Sequence, residues 1–289
     1  MREAGEIGAE GRDTPEADRR DGGGAMVGML AGRVALVSGI GPGLGIEIAR
    51  LFAREGADIV LGARRTELME SLAEEIEAMG CRTVWQSTDI TDPDQCQALV
   101  DAAVEKFGGL DVCVNNAFND GFPVINVEDA DLDRWRSVFD VNFFGSLNMT
   151  RACIPALRAA EAGRVIFVNT MSTRIRQAGW GAYSSSKAAL ENITKILAKE
   201  LGPDGIRVNS VLPGYIFADA VRNFLQSQAD ARGVDYQEVY DETADETALK
   251  YLPDADEIAG SVLFLASDLA LPITGASLDV NAGHWIGGS

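Results

Sequence analysis

Arg33-Val-Ala-Leu-Val-Ser-Gly39-Ile-Gly-Pro-Gly43-Leu-Gly45-Ile-Glu-Ile-Ala-Arg-Leu-Phe-Ala-Arg-Glu-Gly56 runs from a short apolar stretch through a cluster of glycines into a helix-forming segment. The apolar run is continuous rather than alternating, the pattern of a strand buried on both faces in a parallel sheet. Strand, glycine turn and helix in that order let the backbone approach a pyrophosphate. The first N–H groups of the helix, where its dipole is positive, then receive it. The strict Gly-x-Gly-x-x-Gly register is absent, and the spacing present is Gly39-x-x-x-Gly43-x-Gly45. A glycine turn alone is also what an ordinary tight βα connection looks like.

Outward from this stretch, strand and helix alternate. Asp58–Gly62 predicts a second strand that ends in Ala63-Arg64-Arg65, with an amphipathic helix over Thr66–Glu77 behind it. A site for NAD places a carboxylate here for the ribose 2′-hydroxyl, whereas arginine accommodates the 2′-phosphate of NADP. Two guanidiniums and no carboxylate occupy the position, though the same pair also reads as a solvated basic helix start. Further strands are predicted over Arg82–Gln86, Leu110–Asn115, Arg164–Asn169, Ile206–Leu212 and Ala276–Val280. Helices are predicted over Pro93–Phe107, a long stretch around Leu132–Ala159, Gly181–Leu201 and Asp254–Ser267. Together they predict an α/β fold, a single-domain doubly wound parallel sheet of about seven strands with helices on both faces. Its ligand belongs at the carboxyl ends of the strands.

Residues 1–28 are Gly, Ala, Glu, Asp and Arg with almost nothing to bury, which predicts a disordered acidic, glycine-rich tail before a domain over 29–289. Within that domain, 215–252 is long enough for a helical substrate lid. A hydrophobic content of 46% supplies a sizeable core, and the formal net charge of −19 repels nucleic acid and anionic membrane surfaces. No run of eighteen apolar residues and no signal pattern occurs, so a soluble, cytoplasmic protein is expected. Cys81, Cys96, Cys113 and Cys153 show no Cys-x-x-Cys pairing, and His284 is the sole histidine, so no metal site is expected.

Tyr183-Ser-Ser-Ser-Lys187 lies in a run rich in Ala, Leu, Lys and Glu. A spacing of four puts the phenol and the ammonium on one helix face. A unit charge about 4 Å away at an effective dielectric of about 20 is worth roughly 4 kcal/mol, enough to bring a phenol from about 10 to near 7. Such a tyrosine trades a proton with an alcohol or carbonyl oxygen at neutral pH. An ordinary amphipathic helix also carries a Tyr and a Lys in this way, so the weight comes from the motifs on either side.

Gly39-x-x-x-Gly43-x-Gly45, Asp89-Ile90, Asn115-Asn116-Ala117, Asn142, Tyr183-x-x-x-Lys187 and Pro213-Gly214 follow one another in the order found in the classical short-chain dehydrogenase/reductase family, which the chain resembles from about residue 30 onward. The resemblance implies a Rossmann fold and NAD(P)-dependent interconversion of a secondary alcohol and a ketone, usually by a homotetramer; Arg64 and Arg65 make NADP the preferred cofactor over NAD, and the substrate is expected to be a hydrophobic small molecule. The resemblance also implies that Gly39, Gly43, Leu44 and Gly45 cradle the pyrophosphate and that Arg64 meets the 2′-phosphate. Asp89 and Ile90 would flank the adenine; Asn115, Asn116 and Ala117 the adenosine ribose side; Pro213, Gly214 and the backbone at Ile216 the nicotinamide carboxamide. Tyr183 would be the acid/base, Lys187 would lower its pKa and hold the nicotinamide ribose, and Asn142 would orient a relay water.

Departures from the pattern are informative. Thr170 stands thirteen residues before Tyr183, where the family has its catalytic serine at the end of the fifth strand, and Ser172 is the fallback. Phe118 replaces a glycine, and Ala218 replaces a threonine that often bonds the cofactor amide. Phe118, Trp180, Phe217 and Phe224 are placed near the substrate by the resemblance, and each also reads as core. Two other functions fit the same residues: a 3-oxoacyl thioester reductase, which the acids of 215–252 disfavour for anionic carriers, and a non-catalytic dinucleotide-binding regulator.

Overall fold

Val34–Ser38 (β1) is buried along its whole length because it is paired on both sides, by Asp58–Ala63 (β2) and by Val112–Asn115 (β4). In this computed structural model, which describes residues 28–287, Thr83–Ser87 (β3), Arg164–Val168 (β5), Arg207–Pro213 (β6) and Ser277–Val280 (β7) complete one all-parallel sheet. The strand order is β3-β2-β1-β4-β5-β6-β7. The order reverses between β1 and β4, and a doubly wound sheet opens its ligand crevice at that point. The expectation for residues 1–28 lies, but for Gly28, outside the described residues.

Helices cover both faces. Leu44–Arg54 (α1), Glu67–Ala78 (α2) and Ala255–Ala266 (α10) bury one core with Ile48, Phe52, Met69, Ile76 and Ile258. Pro93–Phe107 (α3), Ser146–Ala159 (α5) and Gly181–Leu201 (α7) bury the other with Leu99, Met149, Leu157 and Leu190. Helix starts follow local chemistry. Asp92 caps α3 by accepting from the N–H groups of Asp94 and Gln95, and Asp254 with Glu257 forms a reciprocal capping box on α10.

Two sequence expectations are corrected. The long helix expected around Leu132–Ala159 is three pieces: Leu132–Phe139 (α4), a π-helical segment over Asp140–Gly145, and α5. Gly145 lets the segment press on Ile90, since a Cβ there would meet the Ile90 side chain at 2.7 Å. The fifth strand ends at Val168, so Thr170 is not its last residue but lies in the turn before the short helix Ser172–Ile175 (α6).

Residues 215–252 carry two helices, Asp219–Arg232 (α8) and Tyr236–Asp245 (α9). They enclose a small core of their own, Leu225, Ala229, Val239, Ala244 and Leu252, with Tyr215, Phe217 and Tyr240 packed against it. Its far end is tied to the turn after β7: the N–H groups of Ala248 and Leu249 donate to the carbonyls of Gly283 and Ala282, and His284 Nε2 lies 3.4 Å from Glu246 Oε2.

Candidate active site

The glycine turn fits a dinucleotide. Gly39 has φ +92° and packs so closely on the Ala117 backbone that a Cβ would meet its nitrogen at 2.3 Å. Gly45 approaches the Gly39 carbonyl just as closely, and Asn116 Nδ2 closes the turn by donating to that same oxygen at 2.7 Å. Gly43 is the N-cap of α1, and no side chain caps that helix. Its first N–H groups therefore face the crevice with the positive end of the helix dipole, the donor set a pyrophosphate takes. Leu44 is buried as the first residue of the helix.

Arg64 and Arg65 are exposed at the end of β2, and among the described residues neither forms an ion pair. Asp89 is held below the usual carboxylate range, first by the Thr91 N–H and then by the Thr91 hydroxyl and the charge of Arg64, with burial opposing. Ile90 is buried beside it. Asn115 donates to Thr150 Oγ1 at 3.0 Å and is wholly interior, so it supports the strand end rather than facing the crevice. Ala117 and Asn116 lie against the glycine turn itself.

At the carboxyl ends of β4, β5 and β6 the proposed catalytic residues converge. Thr170 lies beside the Tyr183 hydroxyl and its Oγ1 accepts from the Ser172 N–H at 3.2 Å. Ser172 Oγ is buried without a partner at the start of α6. Lys187, one helical turn below Tyr183, is fully buried and donates from Nζ to the Val168 carbonyl at 2.7 Å. Met171 N–H donates to Pro213 O, which ties the Thr170 turn to the end of β6. Gly214 is in close contact with Asn281 and Met171, and Ile216 follows, half-buried.

The electrostatics differ from the sequence expectation. Burial pushes the Tyr183 phenol up to about 12; the Thr170 hydrogen bond pulls it down and Asp120 adds to the rise. Burial brings the Lys187 ammonium down to about 7. The predicted lowering of the phenol by its lysine is therefore wrong for this chain alone. The ammonium is turned to a backbone carbonyl of β5, and desolvation penalises the charged form of each group.

Asn142 also plays a part the sequence did not show. Its Oδ1 accepts from Asn119 N–H at 2.7 Å, and both amide protons are spent, on Asn119 O and Ser186 Oγ, each at 2.9 Å. The side chain clamps the loop after β4 onto α7. Asn169 was not singled out from the sequence either. With its amide oriented by its neighbours, it donates to Lys187 O at 3.0 Å and accepts from Glu191 N–H at 3.2 Å, joining the turn after β5 to the Lys187 turn. Glu191 in turn holds Arg174 through two 2.8 Å bonds. Neither contact has a local signal, because each joins residues 17 or more positions apart.

Phe118 and Trp180 stand beside Tyr183, with ring centroids 6.5 Å and 5.8 Å away. Phe217 instead packs edge-on against Tyr240 in the cover formed by α8 and α9, with Arg222 over its ring. Phe224 is on α8, exposed. Ala218 Cβ lies 3.4 Å from where a Cβ of Gly43 would be, which sets the start of the cover over the glycine turn.

A family model described as Enoyl-(Acyl carrier protein) reductase matches residues 39–284. The chain belongs to the classical short-chain dehydrogenase/reductase family. Within this oxidoreductase family it is 34% identical over 255 residues to cis-4-hydroxycyclohexanecarboxylate dehydrogenase of Sinomonas cyclohexanicum, covering 88% of this chain and 97% of the relative. L-Sorbose reductase from Gluconobacter frateurii, solved with NADPH and L-sorbose, superposes with a TM-score of 0.84 at 28% identity, covering 89% of this chain and 98% of the other. Carveol dehydrogenase from Mycobacterium avium, solved with NAD, gives 0.83 at 28% identity, with 89% and 99% covered. Among the described residues no helix is long and apolar enough to cross a membrane.

Proposed function

We propose that this short-chain dehydrogenase/reductase interconverts a secondary alcohol and a ketone on a hydrophobic small molecule, with NADP(H) preferred over NAD(H). The observation that carries the reading is the Thr170 side chain beside the Tyr183 hydroxyl, with a buried Lys187 one helical turn away, at the carboxyl ends of the strands. The bound dinucleotide supplies or accepts the hydride. In the reducing direction Tyr183, kept protonated by burial, gives its proton to the carbonyl oxygen while the Thr170 hydroxyl orients that oxygen. Lys187 would hold the nicotinamide ribose, and Gly39, Gly43, Leu44 and Gly45 the pyrophosphate, with Asp89 and Ile90 at the adenine and Pro213, Gly214 and Ile216 at the carboxamide. Arg64, exposed at the end of β2, supports the 2′-phosphate preference. Phe144, in the π-helical segment, and Ile196, on α7, are exposed apolar side chains in keeping with a homotetramer.

The acyl-carrier reductase reading meets an acidic cover: Asp230, Asp235, Glu238, Asp241, Glu242, Asp245 and Glu246 all lie on or beside α8 and α9, where an anionic carrier is repelled. The test is turnover of a panel of secondary alcohols and ketones with both dinucleotides, followed at about 340 nm where the reduced ring absorbs. Tyr183→Phe is expected to lose about 10²–10⁴-fold in rate with cofactor affinity retained. A Tyr183→Phe enzyme at native rate overturns the assignment, and tighter NAD(H) binding unaltered by Arg64→Ala overturns the cofactor preference.

A further inference from the structure

Two large aromatic side chains stand exposed at the mouth of the site, Phe118 at 58% and Phe122 at 53%. Phe118 meets the Tyr183 ring edge-on at 6.5 Å, Trp180 meets it from another side at 5.8 Å, and Phe122 buttresses Trp180 at 6.1 Å. Exposing such rings costs free energy unless something apolar covers them. The wall is held in place rather than floppy. Ile125 N–H donates to Gly179 O, and the residues flanking Trp180 are pressed against their neighbours: a Cβ on Gly179 would meet Val124 at 2.2 Å, and one on Gly181 would meet Trp135 at 2.7 Å.

The amides of the same loop are largely paired within it, while the Asp120 carboxylate is exposed. Asn119 Oδ1 accepts from Gly121 N–H and Asp120 Oδ1 from Phe122 N–H, each at 3.0 Å, while the Asn142 amide is spent on Asn119 and Ser186. Hydroxyls placed against the rings of Phe118 and Trp180 find no partner in those rings, and each one left unpaired costs free energy. A flexible chain would cover the rings only by freezing its rotors. A rigid ring covers them without that loss.

We infer that Phe118 and Trp180 are specificity-determining residues of the Tyr183 site, and that they select an apolar cyclic secondary alcohol or its ketone. The inference rests on the alcohol–ketone reading above. The experiment uses three six-carbon alcohols, cyclohexanol, 2-hexanol and a hexitol, with cyclohexanone and 2-hexanone in the reverse direction, on the full chain and on Phe118→Ala, Trp180→Ala and Phe118→Leu. Dinucleotide affinity is measured in parallel to show that each variant is folded.

The native enzyme is expected to favour cyclohexanol over 2-hexanol and 2-hexanol over the hexitol in kcat/KM. Phe118→Ala and Trp180→Ala should each raise KM for cyclohexanol about tenfold, as loss of one aromatic wall implies, with kcat nearly kept, a smaller change for 2-hexanol and partial recovery in Phe118→Leu. A hexitol used as well as cyclohexanol overturns the inference. So do variants that lower kcat equally for all three alcohols with KM unmoved. No turnover of any of these alcohols or ketones by a chain that binds dinucleotide overturns the alcohol–ketone reading itself, a different result from a wrong order among substrates that react.

Discussion

At the scale of single residues, the site sets a buried cation against the stability of its own fold. Lys187 is fully buried, and its ammonium is brought down to about 7 by desolvation. In the unfolded chain the same group titrates at about 10.4, so between pH 7 and about 10 the unfolded state holds more protons than the folded one. Stability from this group therefore rises as pH rises through that window, and below pH 7 the cost of the buried charge is fully present. Lys187→Met should melt at or above the native temperature at pH 7, even after losing the roughly 1 kcal/mol hydrogen bond to Val168 O. The gap should close as pH is raised toward 10, and the variant should be inactive. Thermal melts across that range decide it; a variant less stable than native at pH 7 shows that the ammonium contributes more than it costs.

Thr170 and Ser172 separate at the same scale. Thr170 lies beside the Tyr183 hydroxyl, whereas Ser172 Oγ is buried in α6 and has no hydrogen-bond partner among the described residues. Removing a donor that steadies a developing oxyanion costs about 2.7–4 kcal/mol, or two to three decades in rate. Thr170→Ala is expected to lose about that much, Thr170→Ser to keep activity, and Ser172→Ala to be mild. Steady-state rates of the three variants check the assignment, which moves two residues along the chain if Ser172→Ala is the crippled one.

At the scale of elements, the strand, turn and helix around Gly39–Gly45 depend on contact rather than on helix preference. An alanine at Gly45 gains roughly 1 kcal/mol of helix propensity, but its Cβ would sit 2.3 Å from the Gly39 carbonyl and 2.8 Å from Asn116 Nδ2. The carbonyl is backbone and cannot swing aside, so the turn and α1 must part. Gly45→Ala is expected to lose about 1–3 kcal/mol of stability and most of its dinucleotide affinity. Gly41→Ala, where a Cβ would find nothing within 4 Å, should change neither. Calorimetry and titration of the pair are the check, and equal losses in both would remove the contact as the cause.

This element was legible because its reading is local: apolar run, glycines and helix follow within Arg33–Gly56. So were most of the strands and the Tyr183–Lys187 helix. The break in the expected helix over Leu132–Ala159 was not, because the π-helical turn at Asn142 arises from packing against Ile90 and from bonds to Asn119 and Ser186, none of them adjacent in sequence. The direction of the Tyr183 shift was missed for a similar reason. Spacing shows that two groups are neighbours on a helix, while desolvation depends on every element packed around them.

At the scale of the whole molecule, the sheet with its two helical layers and the α8–α9 cover have separate interiors. No residue of the cover's core, from Leu225 to Leu252, belongs to either large core. Amides of α8 and α9 are expected to exchange with solvent orders of magnitude faster than those of β1, β4 and α1, and to slow when dinucleotide is bound. Exchange measured by mass spectrometry tests this, and uniform protection across both parts would show one cooperative unit.

The tie between the cover and the turn after β7, through Ala248, Leu249 and the His284–Glu246 contact, then acquires a kinetic meaning. A cover with its own interior can swing or melt as a unit about this tie and the Arg222–Asp254 pair at its other end. Where turnover waits on such an opening, its rate can be changed by substitutions that never touch the reacting atoms.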